Sequence, residues 1–205
     1  MKRVLILLSN GFEVYEAAAF IDVLGWANTF GSEPVEAVTA SLRPSIISTF
    51  GLQVVPSMTT AEVQVASFDA LAIPGGFESA GFYEDAYSQG FLDIVRQFDA
   101  LGKPIASICV AALPLAKSGA LRGRRATTYH LLEGKRRKQL AEMGANVVDA
   151  DIVRDENTIT STSPATAIDV ASALLAEITS VDNAIRVRHM MGFATDDHGQ
   201  WNRTP

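Results

Sequence analysis

"PIASICVAALPLAKSGAL", Pro104 to Leu121, decides the fold. Its first part, "PIASIC", is an apolar run of strand length that ends on the chain's only cysteine, Cys109. Small apolar residues carry straight on as "VAALPLAKSGAL", which reads as a helix with Pro114 in its first turns, where proline is tolerated. The flanking pattern Ser107-x-Cys109-x-Ala111 is small, any, nucleophile, any, small. Such small neighbours permit the tight strand-to-helix turn that exposes a nucleophile. A thiol at a helix N-terminus also meets the positive end of the helix dipole, which favours thiolate. The same residues fit a packed core cysteine equally well, since free cysteine is among the most buried residue types.

Outward from that stretch, strand and helix signals alternate. "RVLILLS" near the start is a continuous apolar run, as a parallel strand covered on both faces requires. "EVYEAAAFIDVLGWANTF" follows as a helix, with Phe20, Val23, Leu24 and Ala27 at helical spacing and Gly31 as its stop. "VEAVTA" is a strand, "SIISTFGLQVVPS" a hairpin pivoting near Phe50 and Gly51, and "FDALAIPGG" a strand entering a Pro-Gly-Gly turn. "DAYSQGFLDIVRQFDALG" predicts one helix, "RRATTY" a strand, and "GKRRKQLAEMGA" a helix. "NVVDADIVRDENTITSTS" holds short strands around "DENT", and "PATAIDVASALLAEIT" a long helix with Pro164 near its start. "VDNAIRVRHMM" reads as a further helix, and "GFATDDHGQWNRTP" has no clear pattern.

Repeated strand–helix units predict a mostly parallel central sheet with helices on both faces. The 205 residues suit a single domain, read as residues 1–180 with residues 181–205 as a C-terminal extension of it. Binding sites in such sheets form at the carboxyl ends of the strands. That rule brings together Ser9–Glu16, Gly75–Phe77 and Cys109–Ala111.

Composition narrows the function classes. A net charge of -6 argues against a general nucleic-acid binder. No stretch approaches the ~18 uncharged apolar residues of a membrane span. "MKRVLILLSNGFE" reads as a buried strand rather than a leader, and the chain as cytoplasmic. A single cysteine excludes an intrachain disulfide and a multi-cysteine metal site, and the three scattered histidines have no metal-ligand spacing, so no metal is expected. Between Arg122 and Lys138 stand seven of the seventeen Lys and Arg residues, against Glu133 alone. Such a run is either a solvated face or a patch for an anionic ligand.

The remaining candidates cluster at the sheet edge. Gly75 and Gly76 can turn backbone N–H groups toward a ligand, as an oxyanion hole requires, or form a plain turn. Glu13 reads as an ordinary dipole partner of the first helix. Glu16, one turn further, faces the cleft. A carboxyl beside a thiol acts either protonated, as a hydrogen-bond donor, or as a base, and both roles imply a pKa raised by burial. His130 ends a predicted strand and reaches toward the same cleft, whereas His189 and His198 lie near the C-terminus. Tyr15, Phe77, Phe82 and Tyr129 are candidates for an apolar wall, and Gly75 for the pocket lining beside Phe77 and Tyr129.

Together "KRVLILLSNGFEVYEAAAFIDVL", "FDALAIPGG", "IASICVAALPLAKSGALRGRRATTYH" and "STSPATAIDVASALLAEI" resemble the ThiJ/PfpI family, within the class I glutamine amidotransferase-like superfamily. The resemblance implies a flavodoxin-like three-layer α/β/α sandwich, a homodimer and no organic cofactor. It implies Cys109 as the elbow nucleophile, Glu16 as its acid partner, and Gly76 with the N–H of Val110 as the oxyanion hole. Tyr129 stands where the deglycase branch has its histidine, and His130 lies one position beyond. The protease-like branch has histidine directly after the cysteine; Val110 stands there, so peptidase activity is not implied. The implied substrates are small electrophiles such as glyoxals and glycated amines, or isocyanides; an oxidation-sensing stress protein or chaperone without turnover is the other implied role.

Overall fold

The computed structural model describes residues 1–193. The chain runs β1 (Lys2–Leu8), α1 (Val14–Phe30), β2 (Val35–Ser41), β3 (Ile46–Ile47), β4 (Gln53–Val54), β5 (Met58–Thr59) and β6 (Ala70–Ile73). It continues through α2 (Phe82–Ala86), α3 (Gln89–Ala100), β7 (Ile105–Ser107), α4 (Ala112–Ser118), β8 (Arg125–Ala126) and α5 (Lys135–Glu142). β9 (Asn146–Val147), β10 (Ile152–Asp155), β11 (Thr158–Ser161), α6 (Ala167–Ile178) and α7 (Val181–Met190) complete the described chain.

The main sheet has seven strands in the order β10-β11-β7-β6-β1-β2-β5. All its pairings are parallel except the β10–β11 hairpin. β1 is the pivot. Val4–Leu8 are buried on both faces, which explains an apolar run without alternation. The chain leaves β1 to one side for β2 and returns on the other for β6. That reversal of strand order opens a crevice beyond the carboxyl ends of β1, β6 and β7.

The helices cover the sheet in two groups. α1 packs on α6 and α7, and α4 packs between α3 and α5. The residues at helical spacing in α1, Phe20, Val23, Leu24 and Ala27, are all buried, and Gly31 N–H closes the helix on the Ala27 carbonyl. Burying a phenylalanine such as Phe20 is worth about 1.5–3 kcal/mol, so this one face is enough to fix α1 on the sheet. The predicted hairpin pivoting near Phe50 is the β3–β4 pair.

Two expected elements differ. The helix expected from Asp85 is split. Asp85 and Ala86 end α2, and α3 starts afresh with the Ser88 hydroxyl accepting the Phe91 N–H. The buried Asp85 carboxylate accepts Asn10 N–H at 3.0 Å and pairs with Arg43 at 2.7 Å, which anchors the break. "RRATTY" gives only the short β8, paired with β9 outside the main sheet, because Thr127 and Thr128 turn to other partners. At the C-terminal end, α7 is clipped to the turn after α1. The buried Asn183 side-chain oxygen accepts the Ser32 N–H at 2.8 Å, and its amide donates to the Glu33 carbonyl at 3.0 Å. His198 and most of "GFATDDHGQWNRTP" lie outside the described residues. Among the described residues, no helix is long and apolar enough to cross a membrane.

Candidate active site

Cys109 stands two residues beyond β7, in a 3-10 turn (Cys109–Ala111) that leads into α4. Its backbone is left-handed, with φ 58°. Holding a non-glycine residue there costs on the order of 1–3 kcal/mol and occurs where the surroundings enforce it. Here the enforcement is visible. The Ala111 N–H closes the turn on the Ile108 carbonyl at 3.0 Å, and the buried Thr128 hydroxyl donates to the Cys109 carbonyl at 2.8 Å. The small neighbours Ser107 and Ala111 are fully buried, as so tight a turn requires. The N–H of Val110 donates to the cysteine sulfur.

Glu16 reaches the same point from the first turn of α1 and is 1% exposed. Its Oε2 accepts the Gly75 N–H at 2.5 Å, while Oε1 is buried with no hydrogen-bond partner of good geometry among the described residues. Burial, partly offset by the Gly75 bond, pushes the carboxyl up to about 8, and the Glu13 charge adds to the rise. The rise is in the direction that burial imposes on a carboxyl beside a thiol. Cys109 departs from expectation. Burial pushes the thiol up rather than down, and the neighbouring Glu16 charge adds to it. The reason is that desolvation of a nearly enclosed sulfur outweighs a short turn's dipole. The two groups therefore titrate as a pair rather than singly.

Gly75 and Gly76 have different duties. Gly75 does not line the cavity, contrary to expectation, because its N–H is committed to Glu16. A Cβ on Gly75 would come within 2.9 Å of the Ile108 carbonyl oxygen and 3.0 Å of Glu16 Oε2. Gly76 does line it, in an antiparallel bridge with Phe12. The ladder bonds there are Glu13 N–H to the Gly75 carbonyl and Phe77 N–H to the Gly11 carbonyl. The Gly76 N–H has no hydrogen-bond acceptor among the described residues. A Cβ on Gly76 would collide with the Gly11 carbonyl oxygen.

Cys109, Glu16, Val110 and Gly76 share one cavity of about 490 Å³. Phe77 and Tyr129 line it, as read from the sequence. His130 does not: Tyr129 takes the cavity-facing place, and the His130 Nδ1 is buried without a hydrogen-bond partner among the described residues. Phe82 is fully buried in the core and Tyr15 points to solvent, so neither forms the wall expected of it. Glu13, read as a dipole partner only, lines the cavity, and burial raises its carboxyl. Phe50 from the β3–β4 turn, Glu78, Leu131, Leu132, Lys135, Arg136 and Pro164 complete the lining, and none of these was read from the sequence as cavity lining. The Lys135–Arg136 part of the basic run was the available signal. Elsewhere in that run, Arg124 pairs with Asp99 and Glu156, and Arg137 with Asp149. No group of three or more His, Cys, Asp or Glu side chains among the described residues is placed to hold a metal ion.

An α/β sheet with a strained cysteine elbow, a buried carboxyl on the sulfur and a glycine turn lining the same cavity defines a class of cysteine-centred α/β proteins. The chain belongs to the DJ-1/PfpI family, whose model matches residues 2–177. It is 32% identical over 193 residues to an isonitrile hydratase of Pseudomonas putida, covering 91% of this chain and 79% of that one. It is 32% identical over 166 residues to a deglycase of Pyrococcus horikoshii, covering 80% and 91%. The crystal structure of Drosophila melanogaster DJ-1beta superposes with a TM-score of 0.82 at 28% identity, covering 94% of this chain and 98% of that one.

Proposed function

We propose that the protein is a cofactor-independent cysteine enzyme acting on reactive carbonyl compounds, of the glyoxalase or deglycase kind. One observation carries this reading: Cys109 is held at φ 58° at the cavity wall, with the Val110 N–H and the Glu16 carboxyl both acting on its sulfur. A packing cysteine has no need of that strain. The deglycase relative adds support.

The chemistry follows from the pair. A carboxyl raised to about 8 is a base matched to neutral solution. The Cys109 sulfur bonds to the aldehyde carbon of an α-oxoaldehyde while its proton passes to Glu16. The C=O π electrons move to oxygen, and the N–H groups of Gly76 and Val110 hold the resulting oxyanion, the Val110 N–H turning to it from the sulfur as the charge leaves the sulfur. Glu16 returns its proton to that oxyanion, giving the hemithioacetal. As a carboxylate it then takes the proton of the same carbon and delivers it to the adjacent carbonyl carbon through an enediol, while the hydroxyl proton passes to the second oxygen, leaving a thioester of a 2-hydroxy acid. Water cleaves the thioester, returns the thiol and releases the acid.

A second reading is hydration of an isocyanide, which the isonitrile hydratase relative favours, as does a cavity lining with no histidine among the described residues. The sulfur adds to the terminal carbon and the pair's proton goes to that same carbon, giving a thioimidate. Water then releases an N-formyl amine and restores the thiol. This route needs one acid–base group and no imidazole.

The test is turnover of phenylglyoxal to mandelate and of a simple alkyl isocyanide to its formamide. Wild-type protein is expected to convert one of them, and Cys109→Ser and Glu16→Gln to lose that conversion with circular dichroism unchanged. Wild-type protein inert to both overturns the enzyme reading. Mass spectrometry after mild peroxide then tests the remaining oxidation-sensing role.

A further inference from the structure

The cavity is much more than a thiol with a carboxyl. Its mouth is built from large apolar side chains that stay open to solvent: Phe50 is 76% exposed, Leu131 55% and Leu132 77%. The Phe50 and Phe77 rings pack at 5.7 Å between centroids, so two separate loops present one aromatic surface. On the other side, Leu132, Glu133 and Gly134 are three successive left-handed residues, with φ 55°, 59° and 68°. Two of these are non-glycine residues held in a strained conformation at the cavity mouth, and α5 starts immediately after them.

α5 delivers two cations to the cavity, Lys135 and Arg136. The Arg136 guanidinium lies over the Tyr83 ring at 5.1 Å and donates to Gln139 Oε1 at 3.0 Å, so its position is fixed. It also donates to Glu78 Oε2 at 2.7 Å, and Lys135 Nζ reaches the same oxygen at 3.4 Å. Two cations therefore share one carboxylate oxygen, which leaves a net positive charge and unused donors. Glu78 is more than half exposed and free to swing outward. The other two acidic residues of the cavity, Glu13 and Glu16, come from the start of α1. The charge is thus segregated: carboxyls beside the thiol, cations on α5, apolar side chains between and around.

We propose that this cavity selects electrophiles with an apolar body and a distal monoanionic group, which takes the place of the Glu78 carboxylate on Arg136 and Lys135. This rests on reading the Cys109 cavity as the substrate site and narrows the substrate class within it. Methylglyoxal fills only a small part of about 490 Å³ and leaves both the apolar mouth and the cations unused. An amphiphilic anion covers the first and neutralises the second. Glu78 is then a placeholder that keeps the cations aligned until substrate arrives.

The experiment uses binding, so that it is separable from turnover. Cys109 is the chain's only cysteine, so its alkylation by iodoacetamide reports on this cavity alone. Protection of Cys109 is measured with 4-phenylbutyrate and with its neutral amide, 4-phenylbutanamide, in wild-type, Lys135→Gln, Arg136→Gln and Glu78→Gln proteins. The carboxylate is expected to protect at ~10-fold lower concentration than the amide, the scale of one charge-assisted contact. Lys135→Gln and Arg136→Gln narrow that ratio, and Glu78→Gln widens it by removing the competing carboxylate. Lys135 is well exposed, so its replacement does not endanger the fold. Equal protection by acid and amide in wild type overturns the proposal, as does an absence of protection by both. Anion-dependent protection in a protein that turns over no glyoxal and no isocyanide keeps this site and removes the enzyme reading.

Discussion

The Gly75 N–H donates to Glu16 Oε2 at 2.5 Å, and this bond joins the end of β6 to the first turn of α1 directly behind Cys109. It fixes one carboxyl oxygen and leaves the other for the cysteine. Folding nonetheless strengthens proton binding, moving the carboxyl from 4.5 to about 8, chiefly through burial. Between those values the folded protein holds a proton that the unfolded chain has lost. Stability from this group is therefore full below about 4.5 and falls as pH rises toward about 8. Urea unfolding followed from pH 5 to 8 is expected to show that fall in wild type and not in Glu16→Gln. A variant that keeps the wild-type slope removes Glu16 as its source.

The same pair sets the pH dependence of reactivity. The first proton to leave it does so near 8, so alkylation of Cys109 is expected to rise with an inflection there. In Glu16→Gln the base is gone while the sulfur remains buried. The inflection near 8 disappears, reactivity rises only at higher pH, and turnover falls ~10²–10⁴-fold. An alkylation profile for Glu16→Gln identical to wild type counts against proton transfer within the pair.

Gly75→Ala acts on Glu16 without touching it in sequence. The new Cβ meets the Ile108 carbonyl oxygen at 2.9 Å, Glu16 Oε2 at 3.0 Å and Val110 Cγ2 at 3.2 Å. All three belong to the site, and the first is rigid backbone. The carboxyl must shift by a fraction of an ångström, and misplacement on that scale is expected to cost up to ~10² in turnover. Steady-state kinetics on whichever substrate is turned over decides this, with kcat falling more than KM rises.

Tyr129 and His130 separate by the same assay. Tyr129 lines the cavity and His130 does not. His130→Ala is expected to keep turnover within a few-fold of wild type, whereas Tyr129→Ala raises KM. A collapse of kcat in His130→Ala with an intact circular dichroism spectrum would show that imidazole enters the chemistry through motion.

The sequence made legible whatever local chemistry sets. The unbroken apolar run of β1, the helical spacing of α1, the small residues around Cys109 and the glycines after β6 each have a local physical reason. Their convergence follows from the strand-end rule. What stayed hidden depends on tertiary placement. Thr128 lies 19 residues from the carbonyl it serves, and Glu78 is 58 residues from Arg136. No spacing pattern announces such pairs. Which of Tyr129 and His130 faces the cavity depends on the course of a non-repetitive segment after the short β8. The direction of the Cys109 shift was missed because local reading supplies the helix dipole, while burial is a property of the whole fold.

The strain at Cys109 gives its own test. Alanine and glycine both remove the thiol, but only glycine accepts φ 58° without cost. Cys109→Gly is expected to be the more stable of the two by ~1 kcal/mol, despite the entropy glycine adds to the unfolded chain. Paired urea titrations measure this, and Cys109→Ala as the more stable variant would mean that the turn carries little strain.

Thr128 is where that strain is opposed. Its hydroxyl is the donor to the Cys109 carbonyl, and both residues are buried. Thr128→Val keeps the shape and removes the donor, leaving a carbonyl in the elbow without that partner. An orphaned group of this kind costs about 1–3 kcal/mol. The loss should fall on function as well as stability, because this bond ties the elbow to the segment that carries Tyr129. Thr128→Ser restores the donor and is expected to recover turnover while leaving part of the stability deficit, since it lacks the packed methyl. If Thr128→Val lowers the unfolding midpoint but leaves turnover at the wild-type value, the bond is a packing feature and the remaining turn contacts suffice to hold the nucleophile.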